Sequence, residues 1–192
     1  MVGNIPNFTK IDVLRCFLRF SKKIGRKELA KELELGEGTI RTILEEFKSK
    51  KLLDSTKKGH SMSKKGDEML QKIFEIISMP KKINAESLYP EYKKIGVLIK
   101  NAPDVNGLTK LRDLAVKSGA DGAVILKYNG QIYAPESDFV QEYNALENYF
   151  EFKNNDILVI AFSNASRQAE NGALAIAIEL NAYLKSFINE FN

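Results

Sequence analysis

Arg41 stands in the run Gly36-Glu37-Gly38-Thr39-Ile40-Arg41-Thr42, where a guanidinium and two hydroxyls lie within one helical turn. A guanidinium bonds bidentately to a guanine edge or to a phosphate. Thr39 and Thr42 add hydroxyls for phosphates or base edges, and Gly38 lets a backbone come close. Glu37 stands exposed at the same helix start. Arg26 and Lys27 open another helical pattern, and helix N-termini commonly meet phosphate. Lys57-Lys58-Gly59-His60 forms a basic turn. The chemistry these residues suit is recognition of a polyanion, with no bond made or broken.

A second set, Ser163-Asn164-Ala165-Ser166-Arg167, lies where an apolar strand gives way to a helix. Hydroxyls, an amide and a guanidinium beside helix N–H groups could hold an anionic effector, and helix capping by Ser166 is the plainer use of the same residues. Catalysis is not expected. His60 is the only histidine and Cys16 the only cysteine, so no Ser/His/Asp or Cys/His set and no metal-ligand cluster can be assembled. Asp104, Asp113, Asp121, Glu136 and Asp138 are scattered, and Gly36-Glu37-Gly38 lacks the lysine–serine pair of a phosphate loop. No cofactor is implied. Cys16, among Leu14, Phe17 and Leu18, reads as a small core residue.

The charge is divided unevenly. Residues 1–82 carry net +8 and residues 83–192 net −4, giving the chain its +4. A basic half beside an acidic half suggests two domains with different partners. Apolar content of 44% supports a packed core. No apolar run reaches membrane-spanning length and the first ten residues do not resemble a signal peptide, so a cytoplasmic protein without membrane contact is expected.

The elements that must position these residues follow from periodicity. Residues 9–22 read as a helix capped by Thr9, with Ile11, Leu14 and Leu18 on one face and Val13, Phe17 and Phe20 widening it. RKELAKEL follows Gly25, with Leu29, Ala30 and Leu33 inward. After the turn Glu34-Leu35-Gly36, a third helix over 37–51 buries Ile40, Ile43, Leu44 and Phe47. Strands over 52–56 and 61–62 flank the basic turn, and Ser63 caps a fourth helix ending before Pro80. Residues 95–100, 122–128, 131–134 and 156–163 read as strands, with Asn129-Gly130 as a hairpin turn in which both residues take positive φ. Residues 107–119 form a helix closed by Gly119, 138–150 a further helical stretch, and one long helix runs from Ser166 to Phe191, its small residues allowing close approach to a sheet.

Three helices and a hairpin, with Ala30, Leu35-Gly36, Thr39-Ile40-Arg41, Leu52-Leu53 and "SMSKKG" in place, resemble winged helix-turn-helix regulators over residues 9–78. The helix-ending glycine frequent in that superfamily is Lys51 here. The pattern GVLIK…GADGAVIL…NG is similar to an uncharacterised archaeal family with a winged helix before a domain of unknown function. The expected architecture is α+β: a winged-helix domain over 1–80, a linker over 81–94, and an α/β sandwich-like domain over 95–192 for dimerisation or effector binding. The resemblance implies a transcriptional regulator with helix 37–51 in the major groove of double-stranded DNA and residues 57–60 on its backbone. Apolar residues on the fourth helix, Met69 to Ile77, and on the first beyond what one domain needs suggest a homodimer. Asp121-Gly122-Ala123-Val124-Ile125 with Asn129-Gly130-Gln131-Ile132 resembles the strand and hairpin of diadenylate cyclases. That family's Arg-His-Arg segment has no counterpart. The alternative function is therefore a nucleotide-binding protein or enzyme that uses the winged helix for docking.

Overall fold

Thr9 starts the first helix as expected. Its hydroxyl accepts from the Asp12 N–H while the Asp12 carboxylate accepts from the Thr9 N–H, so two orphan donors are satisfied at once. The structure is a computed structural model that describes residues 8–56, 59–103, 105, 107–135 and 143–191. Two compact units result: residues up to Ile73 together with those from Ser186 on, and Phe74–Lys185. The sequence places the first boundary at residue 80. The structure places it inside a helix, and part of the expected linker is strand.

In the first unit, α1 (Lys10–Leu18), α2 (Arg26–Leu33) and α3 (Glu37–Ser49) precede an antiparallel hairpin of β1 (Leu53–Thr56) and β2 (Gly59–Met62). This is winged-helix order. Leu29, Ala30 and Leu33 of α2 and Ile40, Ile43, Leu44 and Phe47 of α3 are buried as their spacing requires. Lys51 takes the left-handed conformation, φ 60°, where glycine is commoner, and Leu52 N–H then returns to the Phe47 carbonyl at 2.8 Å. Ser63 locks the far side of the hairpin. Its hydroxyl donates to the Lys51 carbonyl at 2.7 Å and accepts from Gly66 N–H at 3.1 Å, opening α4 (Lys64–Ile76). Gly66 packs directly under the Leu52 carbonyl and the Met62 sulfur, a space a Cβ would fill. The glycine of "SMSKKG" is thus a close-approach glycine.

The expected long C-terminal helix is two helices, α6 (Ser166–Leu180) and α7 (Ala182–Asn189). Asn181 breaks it by turning extended, and its Oδ1 accepts from Tyr183 and Leu184 N–H to start α7 afresh. The residues from Ser186 on return to the first unit. Phe187 packs on Phe17 with ring centroids 4.9 Å apart, and Phe191 meets Phe47 at 5.5 Å. The wide apolar surface of α1 is therefore covered, at Phe17, by the chain's own C-terminal residues.

The second unit is built on a sheet of strand order β3-β4-β7-β5-β6, antiparallel throughout: β3 (Lys81–Lys82), β4 (Lys93–Ile99), β5 (Gly122–Tyr128), β6 (Ile132–Tyr133) and β7 (Ile157–Ser163). Every residue of central β7 is buried, which is why its sequence is a continuous apolar run rather than an alternation. On one face, α5 (Leu108–Lys117) and α6 pack closely; a Cβ on Gly172 would come within 2.6 Å of Ala120 Cβ and 3.3 Å of Ala115 and Ala161. On the other face Leu98, Leu126, Leu158 and Ile160 meet Ile83, Leu88, Leu146 and Phe150. The β5–β6 turn differs from expectation. Tyr128 pairs with Ile132, so three residues bridge the strands, and of these Gly130 alone has positive φ. The described part of 138–150 is a 3-10 turn at Asn144–Asn148.

Candidate nucleic-acid interface

The exposed side of α3 carries Glu37, Gly38, Arg41, Thr42, Glu45 and Lys48, with Thr39 half-buried. Gly38 faces open space. Arg41 donates from Nε to Glu45 Oε1 at 2.8 Å, one helical turn away, and the Glu45 carboxylate pushes the guanidinium further above its usual range. Thr42 donates its hydroxyl back to the Gly38 carbonyl at 3.3 Å. Arg26, first residue of α2, pairs with Glu37, first residue of α3, at 3.3 Å. Lys27 is exposed beside it. Two of the cationic groups singled out in the sequence, Arg26 and Arg41, are therefore tied to carboxylates in the free protein. An i,i+4 Arg–Glu pair was readable from the spacing of Arg41 and Glu45, and Glu45 is the residue the charge pattern passes over.

The base of the wing adds what sequence reading left out. His60 bridges Ile24: Ile24 N–H donates to the His60 carbonyl at 3.4 Å and His60 N–H to the Ile24 carbonyl at 3.5 Å. This ties β2 to the segment entering α2. Burial, then the charges of Lys48 and Arg26, hold the His60 ring below its ordinary pKa of 6.5. Lys48 and Arg26 are thus the cations whose charge the His60 ring feels. Lys57 and Lys58 lie outside the described residues. Lys50 is spoken for elsewhere, its ammonium 5.2 Å from the Phe191 ring centroid and its carbonyl accepting from Lys65 at 3.2 Å.

In the second unit the group around α6 closes on itself. Ser163 is fully buried; its Oγ lies 2.6 Å from Asp121 Oδ2 and 3.0 Å from Gln168 Oε1. Asn164 N–H points at the same Asp121 oxygen at 3.4 Å. The Asp121 carboxylate thus stands beside Ser163 and Asn164, just ahead of this helix start. Ala165, not Ser166, holds the N-cap position, and no side chain caps there. Ser166 and Arg167 are half-buried. A hollow of about 760 Å³ elsewhere in this unit is lined by Lys81, Lys100 and Lys153 against Glu75, Glu147 and Glu151, so it presents no single charge. Among the described residues no cluster of His, Cys, Asp and Glu could hold a metal ion, and no helix is long and apolar enough to cross a membrane.

Comparison with known proteins matches each part of the chain. The family model described as PH0730-like, N-terminal domain, matches residues 10–68, and the model for a domain of unknown function, DUF4443, matches residues 90–180. None of the curated proteins matches. Among solved structures, "Hypothetical protein PH0730 from Pyrococcus horikoshii OT3" is similar with 27% identity and a TM-score of 0.79, over 94% of this chain and 99% of that one. The chain is thus similar to a PH0730-like N-terminal domain over its first part and to DUF4443 over its second, and along nearly its whole length to an uncharacterised archaeal protein.

Proposed function

We propose that the chain is a DNA-binding transcriptional regulator that engages duplex DNA through its first unit. The observation that carries this reading is the exposed α3 of a winged-helix unit, with Arg41 and Lys48 on its outer side and Arg26 exposed at the start of α2. A helix of this kind enters the major groove with its first residues at the base edges, while the wing and the α2 start meet the backbone. In this reading Arg41 and Arg26 leave Glu45 and Glu37 for phosphate or base. The acidic second unit assembles the protein as a homodimer and performs no chemistry, and the protein works in the cytoplasm. Protein docking is a second reading, favoured by the same carboxylates, since Glu37 and Glu45 put negative charge on the face that DNA would meet.

Binding of a random-sequence duplex to the full chain, followed by fluorescence anisotropy against salt, separates the two. Four phosphates neutralised would give a log–log slope of about −3.6, at roughly −0.9 per phosphate. Affinity that barely changes with salt, or no binding at low salt, removes the DNA reading.

A further inference from the structure

We propose that the groove between α5 and α6 in the second unit binds a small carboxylate with an apolar tail. The groove has a volume of about 410 Å³, and Leu111, Leu114 and Leu180 form its floor. Leu111 is 6% exposed, and Leu114 and Leu180 are half-buried, so the floor is apolar surface that the fold covers only in part. Lys110 and Lys117 line the same groove and are exposed. They lie about two helical turns apart on α5, so both rise from one side of the helix with Leu114 between them. Small-molecule sites are built this way: about 300–1,000 Å³, mostly apolar, with a few polar groups that fix orientation. Nothing in this site depends on DNA binding by the first unit.

Charge selects the ligand. Among the described residues neither Lys110 nor Lys117 has a carboxylate partner. The carboxylate that lines the groove, Glu179 near the end of α6, is taken by Lys185 of α7 at 2.9 Å. The rim thus presents two ammonium groups over an apolar floor, and the occupant that complements it has an anionic head and an apolar body. Helix stability does not account for both lysines. Lys117 lies in the last turn of α5, where a cation offsets the macrodipole. Lys110 lies in the first turn, where a cation opposes it, and no acidic residue stands in that turn. Size limits the apolar body. At the ~30 Å³ that a water occupies in the liquid, the groove holds roughly a dozen non-hydrogen atoms. Octanoate fits within that limit.

Calorimetric titration of the full chain with octanoate, octanol and octylammonium, each below its micelle concentration, tests the site. Octanoate should bind about tenfold or more tighter than either of the others, the factor a hydrogen bond to a charged group supplies. The double variant Lys110→Gln/Lys117→Gln should bring octanoate down to the affinity of octanol and leave octanol unchanged. Leu114→Gln should weaken both, because it puts an amide on the floor. The lysines are exposed, so the double variant should melt with the wild type. If it melts lower, Lys110→Arg/Lys117→Arg decides: the charge is kept, and octanoate should still bind. Loss of octanoate from that arginine variant overturns the proposal. Octanoate bound no tighter than octanol or octylammonium overturns it as well, since charge then selects nothing. Octanoate binding undiminished in the double glutamine variant places the ligand elsewhere on the protein and overturns the groove. No octanoate binding at all overturns it outright.

Discussion

Glu45→Gln tests whether α3 faces DNA. Arg41 Nε sits 2.8 Å from Glu45 Oε1, and the two side chains are 69% and 59% exposed. The pair is solvated and contributes little to the fold, so the variant should melt with the wild type. Its effect on binding should be larger. Removing the carboxylate frees Arg41 and deletes a negative charge from the surface that approaches the phosphates. One more phosphate neutralised steepens the log–log salt slope by about 0.9. Between about 50 and 200 mM salt that slope difference amounts to roughly a threefold change in relative affinity, so the variant's advantage is greatest at low salt. Anisotropy with a random-sequence duplex at several salt concentrations reads it directly. The double variant Arg41→Ala/Glu45→Gln should lose the extra steepness. A Glu45→Gln protein that melts normally yet has an unchanged or shallower slope shows that α3 does not meet phosphate, and the major-groove placement fails.

Three other expectations concern the fold. Burial pushes the Cys16 thiol up to about 12, so Ellman's reagent should leave it untouched in the native protein at pH 8 and react fully in denaturant. The native state keeps the proton that the unfolded thiol releases; stability held below the unfolded pKa of about 9 should therefore fall by up to roughly 1.4 kcal/mol per pH unit above it, a slope that Cys16→Ala removes from urea titrations. Gly66→Ala drives a methyl into the Leu52 carbonyl, a backbone atom that cannot step aside, and should lower the unfolding free energy by about 2 kcal/mol or more. Phe187→Ala removes a ring that is 1% exposed and packed at a tilt against Phe17 and Phe191, which should cost about 3–5 kcal/mol in the unfolding of the first unit.

Periodicity made α3 legible: Ile40, Leu44 and Phe47 lie on one stripe, and they are buried together. Caps were legible where a side chain makes them, as at Thr9 and Ser63, and not at Ala165, where the backbone does the work alone. The break at Asn181 went unread because the apolar pattern continues across it, while a single amide side chain reaching Tyr183 and Leu184 decides the geometry. The candidate sites were read as lists of cations and hydroxyls. What the list omits is the partner supplied from elsewhere: Glu45 one turn on, Glu37 from the next helix, and Asp121 from a distant strand end. The Ile24–His60 bridge, which ties β2 to the segment entering α2, is a long-range pairing that local spacing does not encode.

The return of Phe187 and Phe191 to the first unit has a consequence for synthesis on the ribosome. Helices α1 to α3 emerge first, yet the rings that complete the packing around Phe17 and Phe47 follow only after residues 74–185 have been made. Until then those two phenylalanines lack their last neighbours, and the intervening chain forms a large loop whose closure has to be won before the contact rewards it. A nascent chain with its first three helices already made is therefore held short of full stability until its C-terminal residues arrive. A fragment cut at the end of α4 would be locked in that unfinished condition.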